Sequence, residues 1–139
     1  MTWIEPFPKN KRGDGFGNVA PYRNGRPHRG LDWSAKEGSP IKAIALGRVI
    51  ENAWSDVLGW YLIQMSEKGK VFILYAHLKE KSPLELDTVV RAGKDVIGHV
   101  GNTGSATTGA HLHLSVAKNR KVHLCAYDEL IDPATFLDK

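Results

Sequence analysis

A chain of 139 residues is long enough for one domain with a real core, and 42% hydrophobic against 24% charged residues is an ordinary globular balance. The formal charge of +4, from 19 basic and 15 acidic residues, is a mild bias toward anionic partners, but no Lys/Arg cluster interleaved with aromatics favours nucleic acid. Cys125 is the single cysteine, which excludes an intrachain disulfide, and no apolar run approaches the roughly 18 residues of a membrane span, so stable membrane insertion is not expected.

Residues 1–139 read as one domain, with a loop-rich segment over 1–27 and a core carrying the motifs over 28–137. The opening MTWIEPFPKNKRGDG has no apolar run behind its charges and does not read as a secretory signal. The expectation is synthesis in the cytoplasm and release by some other means to any place of action outside it. Residues 1–27 are rich in Gly, Pro, Asn and Arg without periodicity, which predicts an ordered loop.

In GRPHRGLDWSA, His28 and Asp32 are four apart around Gly30. On an extended segment an even spacing points both side chains the same way. Ile41–Asn52 (IKAIALGRVIEN) reads as two short strands around a turn or bulge at Gly47. Trp60–Ser66 and Lys70–Leu78 read as two strands of a hairpin turning at Glu67-Lys68-Gly69. His77 lies near the end of the second strand, and a lone histidine there is more often structural. Tyr75, two residues earlier, shares its strand face, which makes it a candidate to line a groove. Trp33, Trp54, Trp60 and Tyr61 read as packing residues, and His99 and His123 as surface or structural ones.

KEKSPLELDTVVRAG reads as a connection with a short extended piece, and KDVIGHVG as a further strand. The following GNTGSATTGA lacks the Gly-Lys-Ser/Thr of a phosphate loop. It reads as a small-residue wall of a groove, with Asn102, Thr103, Ser105 and Thr107 offering hydrogen bonds to an extended peptide; a long hairpin turn is the alternative. GAHLHLSV then alternates, with Leu112, Leu114 and Val116 on one face and His111, His113 and Ser115 on the other. Standing alone, such a pair is better explained by a half-exposed strand whose solvent side carries histidine. Asp132 before Pro133 reads as the start of one short terminal turn of helix. The fold class is mainly β: antiparallel sheets in a partly open sandwich or barrel with a groove and little helix.

Two imidazoles and one carboxylate are a recognised zinc set, leaving a fourth position open. If one histidine of the HLH pair completes His28 and Asp32, the other stands beside the metal, placed to handle protons. The runs GRPHRGLDWSAKEGSPIKAIALGRVI, YAHL, VIGHVGNTGSATTGAHLHL and IDP, in that order, resemble the lysostaphin-type zinc endopeptidases of peptidoglycan. The resemblance implies that His28, Asp32 and His113 bind one Zn²⁺ per chain and that His77 and His111 are the catalytic pair. It implies a peptidoglycan peptide as substrate; with no signal, anchor or separate wall-binding module read in the sequence, the expectation is a monomeric, phage endolysin-like lysis enzyme released through a holin-type pore. The alternatives are a phage tail-associated module or a non-catalytic wall-binding or hydrolase-activating domain of the same fold. His111 is the favoured general base because its strand ties it closest to the ligand. Three departures stand out. Ser115 replaces a frequent acidic residue, a change expected to touch no ligand. Asn18 and Val19 stand where an arginine often follows FG. KNRKVHLCAYDEL is less typical than the rest.

Overall fold

The computed structural model describes residues 3–66 and 70–139. Nine strands dominate these residues: β1 (Leu31–Ser34), β2 (Pro40–Lys42), β3 (Gly47–Ser55), β4 (Gly59–Ser66), β5 (Phe72–Leu78), β6 (Val89–Val90), β7 (Val96–His99), β8 (His111–Ala117) and β9 (Leu130–Ile131). The α-helix among them is one turn, α1 (Ala134–Leu137). Asp132 Oδ1 accepts the Ala134 N–H at 3.0 Å, so its capping role holds. The N-terminal segment carries two short 3₁₀ turns and otherwise loop, as its composition predicts.

The main sheet has the order β1-β8-β5-β4-β3-β6, with β9 also on β8; β2 and β7 form a second, two-stranded sheet, and every pairing is antiparallel. The sheet curls into the partly open, mainly β architecture expected. Strands β4 and β5 pair as predicted, with Ser66 N–H donating to Val71 O at 2.8 Å, while the proposed turn at Glu67–Gly69 lies outside the described residues. Ile41–Asn52 does hold two strands, but they part over residues 43–46 and join different sheets; Gly47 opens β3, which continues to Ser55.

Two apolar layers cover the two faces of the main sheet. Leu112, Leu114 and Val116 of β8 lie with Ile73 and Tyr75 of β5 and Ile41 and Ile97 of the small sheet. Leu74, Ala76, Tyr61, Ile63 and Ala117 face the other way, joined by Val122 and Cys125 from the segment after β8. Trp33 and Tyr61 are buried and Trp60 half-buried, as packing residues should be; Trp54 departs from this, being 48% exposed with its ring edge-on to Trp60. The chain ends are tied together. Arg12 bridges Glu5 at 2.7 Å and Asp138 at 2.8 Å, and Trp3 stacks on Phe136 with ring centroids 4.2 Å apart. Trp33 Nε1 donates to Glu5 at 2.8 Å, which anchors this clamp to the core.

Candidate metal centre

Pairing of β1 with β8 sets Asp32 opposite His113 and Ser34 opposite His111. Directly opposed residues share a face, so Asp32 and His113 meet on the face that does not carry Leu112 and Leu114. His28 enters from the loop before β1 and is buried, its backbone N–H donating to Asn18 O at 2.8 Å. Gly30 lets that loop pass β8: a Cβ there would lie 2.0 Å from Leu114 O and 2.9 Å from the His113 ring. Gly30→Ala is therefore expected to cost about 1–3 kcal/mol of stability and to loosen metal binding, read from urea midpoints and a zinc titration of the variant.

The donor atoms form a tight triangle. His113 Nδ1 lies 2.9 Å from Asp32 Oδ1, His28 Nε2 lies 3.2 Å from His113 Nδ1, and His28 Nε2 lies 3.3 Å from Asp32 Oδ1. Tetrahedral zinc with bonds of about 2.0–2.1 Å has ligand atoms about 3.3 Å apart, so the triangle is close to the size of one face of that tetrahedron. Proton placement agrees. His28 Nδ1 is 3.1 Å from Gly15 O, an acceptor only, so Nδ1 carries the proton and Nε2 offers a lone pair. Ser115 Oγ donates to Arg29 O at 3.0 Å and so accepts from His113 Nε2–H at 2.8 Å, freeing Nδ1. Ser115 thus touches a ligand directly, contrary to expectation. Burial alone would raise the Asp32 carboxyl, yet contact with His113 and His28 holds it well below the usual range. Burial also pushes His113 down, toward the neutral form a metal requires. A divalent cation fits this set, and zinc is among the metals that such nitrogen and carboxylate donors hold.

Two more imidazoles stand alongside. His77 and His111 have ring centroids 4.9 Å apart, and His77 is 6.1 Å from His113. His77 Nδ1 donates to Thr103 O at 2.7 Å and His111 Nδ1 to Gly109 O at 2.8 Å, so each keeps its Nε2 lone pair free. His111 Nε2 is 3.8 Å from Asp32 Oδ2. His77 reaches this face through a bulge. Between the pairs Trp60–Leu78 and Leu62–Tyr75, Tyr61 of β4 opposes both Ala76 and His77 of β5, and His77 takes φ +61°. The extra residue breaks the alternation, so Tyr75 and His77 do not share a face. Tyr75 is a correction to the groove expectation: it is fully buried, its hydroxyl bonded to Gln64 and accepting Ile44 N–H at 3.0 Å.

The loop before β8 is also used differently from the reading of its composition. Thr103 has no free hydroxyl for a peptide: it accepts Trp60 N–H at 3.2 Å and donates to Leu78 O at 2.6 Å, while its carbonyl orients His77. Thr107 donates to Asn102 Oδ1 at 2.6 Å and stands 3.2 Å from His111 Nδ1, so both brace the loop beside His111. Ser105 is exposed, with its backbone N–H on Asp56 O at 2.9 Å. Gly15, Arg29 and the carbonyls of Thr103 and Gly109 were not legible as site components, because a backbone acceptor leaves no side-chain signature.

His77 also gives a pH signature. Burial lowers it from 6.5 to about 4. Unfolding restores the ordinary value, so below about pH 6.5 the unfolded chain binds the proton first. Stability in chelator is expected to be full above about pH 6.5 and to fall by up to about 3 kcal/mol toward pH 4. Urea midpoints across that range should fall less steeply for His77→Gln.

A curled antiparallel sheet thus carries a donor triangle able to hold a metal ion beside a pair of imidazoles with free lone pairs. The pattern of peptidase family M23 matches residues 26–124, and the chain belongs to that family of metallopeptidases. It is 34% identical over 136 residues to lysostaphin of Staphylococcus simulans, covering 97% of this chain and 26% of that protein. With the glycyl-glycine endopeptidase ALE-1 of Staphylococcus capitis it shares 31% over 130 residues, 93% of this chain and 34% of that protein. The chain therefore spans about a quarter to a third of these relatives. The lysostaphin catalytic domain superposes with a TM-score of 0.80 at 32% identity, covering 93% of this chain and 92% of that one.

Proposed function

We propose that this chain is a zinc-dependent endopeptidase that hydrolyses the peptide cross-links or bridges of bacterial peptidoglycan. The observation that carries the reading is proton placement: four imidazoles each have one nitrogen capped by an acceptor and the other turned, unprotonated, toward one space. A packing role for histidine has no use for four such lone pairs. Similarity to lysostaphin and to a protein named as a glycyl-glycine endopeptidase supports the choice of substrate.

His28, Asp32 and His113 would hold the zinc. When bound, zinc supplies Lewis acidity, polarising a peptide carbonyl and bringing the pKa of a water toward about 7. His111 Nε2 takes a proton from the attacking water, and nearby Asp32 stabilises the imidazolium so formed. His111 then returns that proton to the leaving amine. His77 Nε2 faces the same space and, on taking a second proton from solvent, hydrogen-bonds the developing oxyanion, whose charge offsets the burial that keeps this ring neutral at rest. Thr103 O and Gly109 O keep both rings in register throughout.

A zymogram on two defined wall types tests the reading. Clearing that vanishes with chelator and returns with zinc is expected, and mass spectrometry of the fragments identifies the bond. No clearing on either wall would instead favour a non-catalytic wall-binding domain. The narrower role, a phage lysis enzyme acting as a monomer behind a holin-type pore, is an expectation from the sequence alone. Expression with and without a pore-forming protein checks it, with host lysis expected only when the pore is present.

A further inference from the structure

Outside the metal centre, one more group of titratable side chains stands on the same face of the main sheet. Glu51 is opposite Ile63, Ile63 opposite Leu74, and Leu74 opposite Ser115. Opposed residues share a face, so Glu51 lies in one row with the residue that supports His113, three strands away. At about 4.8 Å per strand this is about 14 Å. Tyr61 lies in the neighbouring row, opposite Ala53 on one side and the His77 bulge on the other.

The segment after β8 folds back over this face. Val122 and Cys125 pack with Tyr61 and Ala76, and Arg29 holds the segment by donating to Cys125 O at 2.7 Å. His123 is thereby laid on Tyr61, ring centroids 4.9 Å apart. The Tyr61 hydroxyl donates to Glu51 Oε2, and His123 Nε2 lies 3.4 Å from that hydroxyl and 3.6 Å from the carboxylate. Among the described residues the second Glu51 oxygen has no partner, no Lys or Arg pairs with the carboxylate, and the buried His123 Nδ1 is likewise without a partner. Glu51 also borders a depression of about 590 Å³ lined by Ile50, Asn52, Lys81, Ser82 and Leu84.

A carboxylate left 34% exposed between two aromatic rings is set up for a cation that also donates hydrogen bonds. A primary ammonium satisfies the charge and the open oxygen together. We propose that Glu51, Tyr61 and His123 form a subsite for a primary ammonium of the peptide substrate, remote from the bond that is cut. The choice of peptide rests on the peptidase reading; the selectivity for an amine does not.

The probes are pentaglycine with a free amine and N-acetyl-pentaglycine, titrated into zinc-loaded His111→Ala protein and followed by NMR. The amine form is expected to bind about tenfold more tightly, with shifts at Tyr61 and His123. Adding Glu51→Gln should bring the two affinities together while zinc content and the amide spectrum stay unchanged. Equal affinities in the Glu51 protein, no binding of either probe, or a preference that survives Glu51→Gln overturns the subsite. Should Glu51→Gln fail to fold, the acetylated probe still decides, and His123→Ala serves as the second variant. The wild type, assayed on cell walls in parallel, separates the two readings. Wall hydrolysis without an amine preference overturns the subsite alone. An amine preference in a protein that hydrolyses no wall supports the subsite and overturns the peptidase.

Discussion

His28→Ala is expected to abolish zinc uptake and hydrolysis together. The three donor atoms sit 2.9–3.3 Å apart, and taking one away leaves a single imidazole and a carboxylate. Two donors do not make the three-ligand set of a catalytic zinc site. The loss should exceed the roughly 10–100-fold that removing an outer supporting partner costs. Ser115→Ala provides that milder comparison, because it frees His113 Nε2 without deleting a ligand. Metal content after gel filtration, measured beside turbidity loss of a wall suspension, checks both. Stoichiometric zinc in His28→Ala would show that other residues hold the ion.

His111→Ala and His77→Ala are expected to behave in the opposite way, keeping zinc and losing turnover. Each removes a lone pair that faces the reacting space but lies outside the donor triangle. A positioned acid or base is worth roughly 10²–10⁴-fold, or about 3–5 kcal/mol of barrier. His111 carries the larger effect if it is the base, since it alone of the pair stands near Asp32, at 3.8 Å from Oδ2. Steady-state rates on a released-amine assay, normalised to bound zinc, measure this. Loss of zinc in His111→Ala would reverse the division of roles, making it a ligand and not a base.

How much of this could be read beforehand depended on whether the chain obeyed its local period. In β8 it did: strict alternation put Leu112, Leu114 and Val116 into the core and His111 and His113 on the opposite face. His28 and Asp32 converge as expected but not by alternation, because His28 lies in the loop before β1, with a bend at Gly30. In β5 the period failed. One inserted residue moves His77 off the face that Tyr75 occupies, and no residue type in LYAHL announces a bulge. His77 was placed in the catalytic pair only by the order of family motifs, while Tyr75 was misassigned by regular geometry. Thr103 shows the other limit. Its type suggested a free hydroxyl, but the hydroxyl is consumed in holding the loop, and its contribution to the site is a carbonyl that every residue possesses. His123 and Glu51 belong to no local pattern, because 72 positions of chain separate them and only folding of the segment after β8 brings their side chains to 3.6 Å.

The clamp of Arg12 on Glu5 and Asp138, with Trp3 stacked on Phe136, makes the polypeptide enter and leave at one spot. A unit built that way behaves as a cassette: it can be spliced into a surface loop of a larger host, or strung in tandem, without stretching either partner. Joining the two ends covalently should therefore yield a circular protein at little conformational cost, with the donor triangle left untouched.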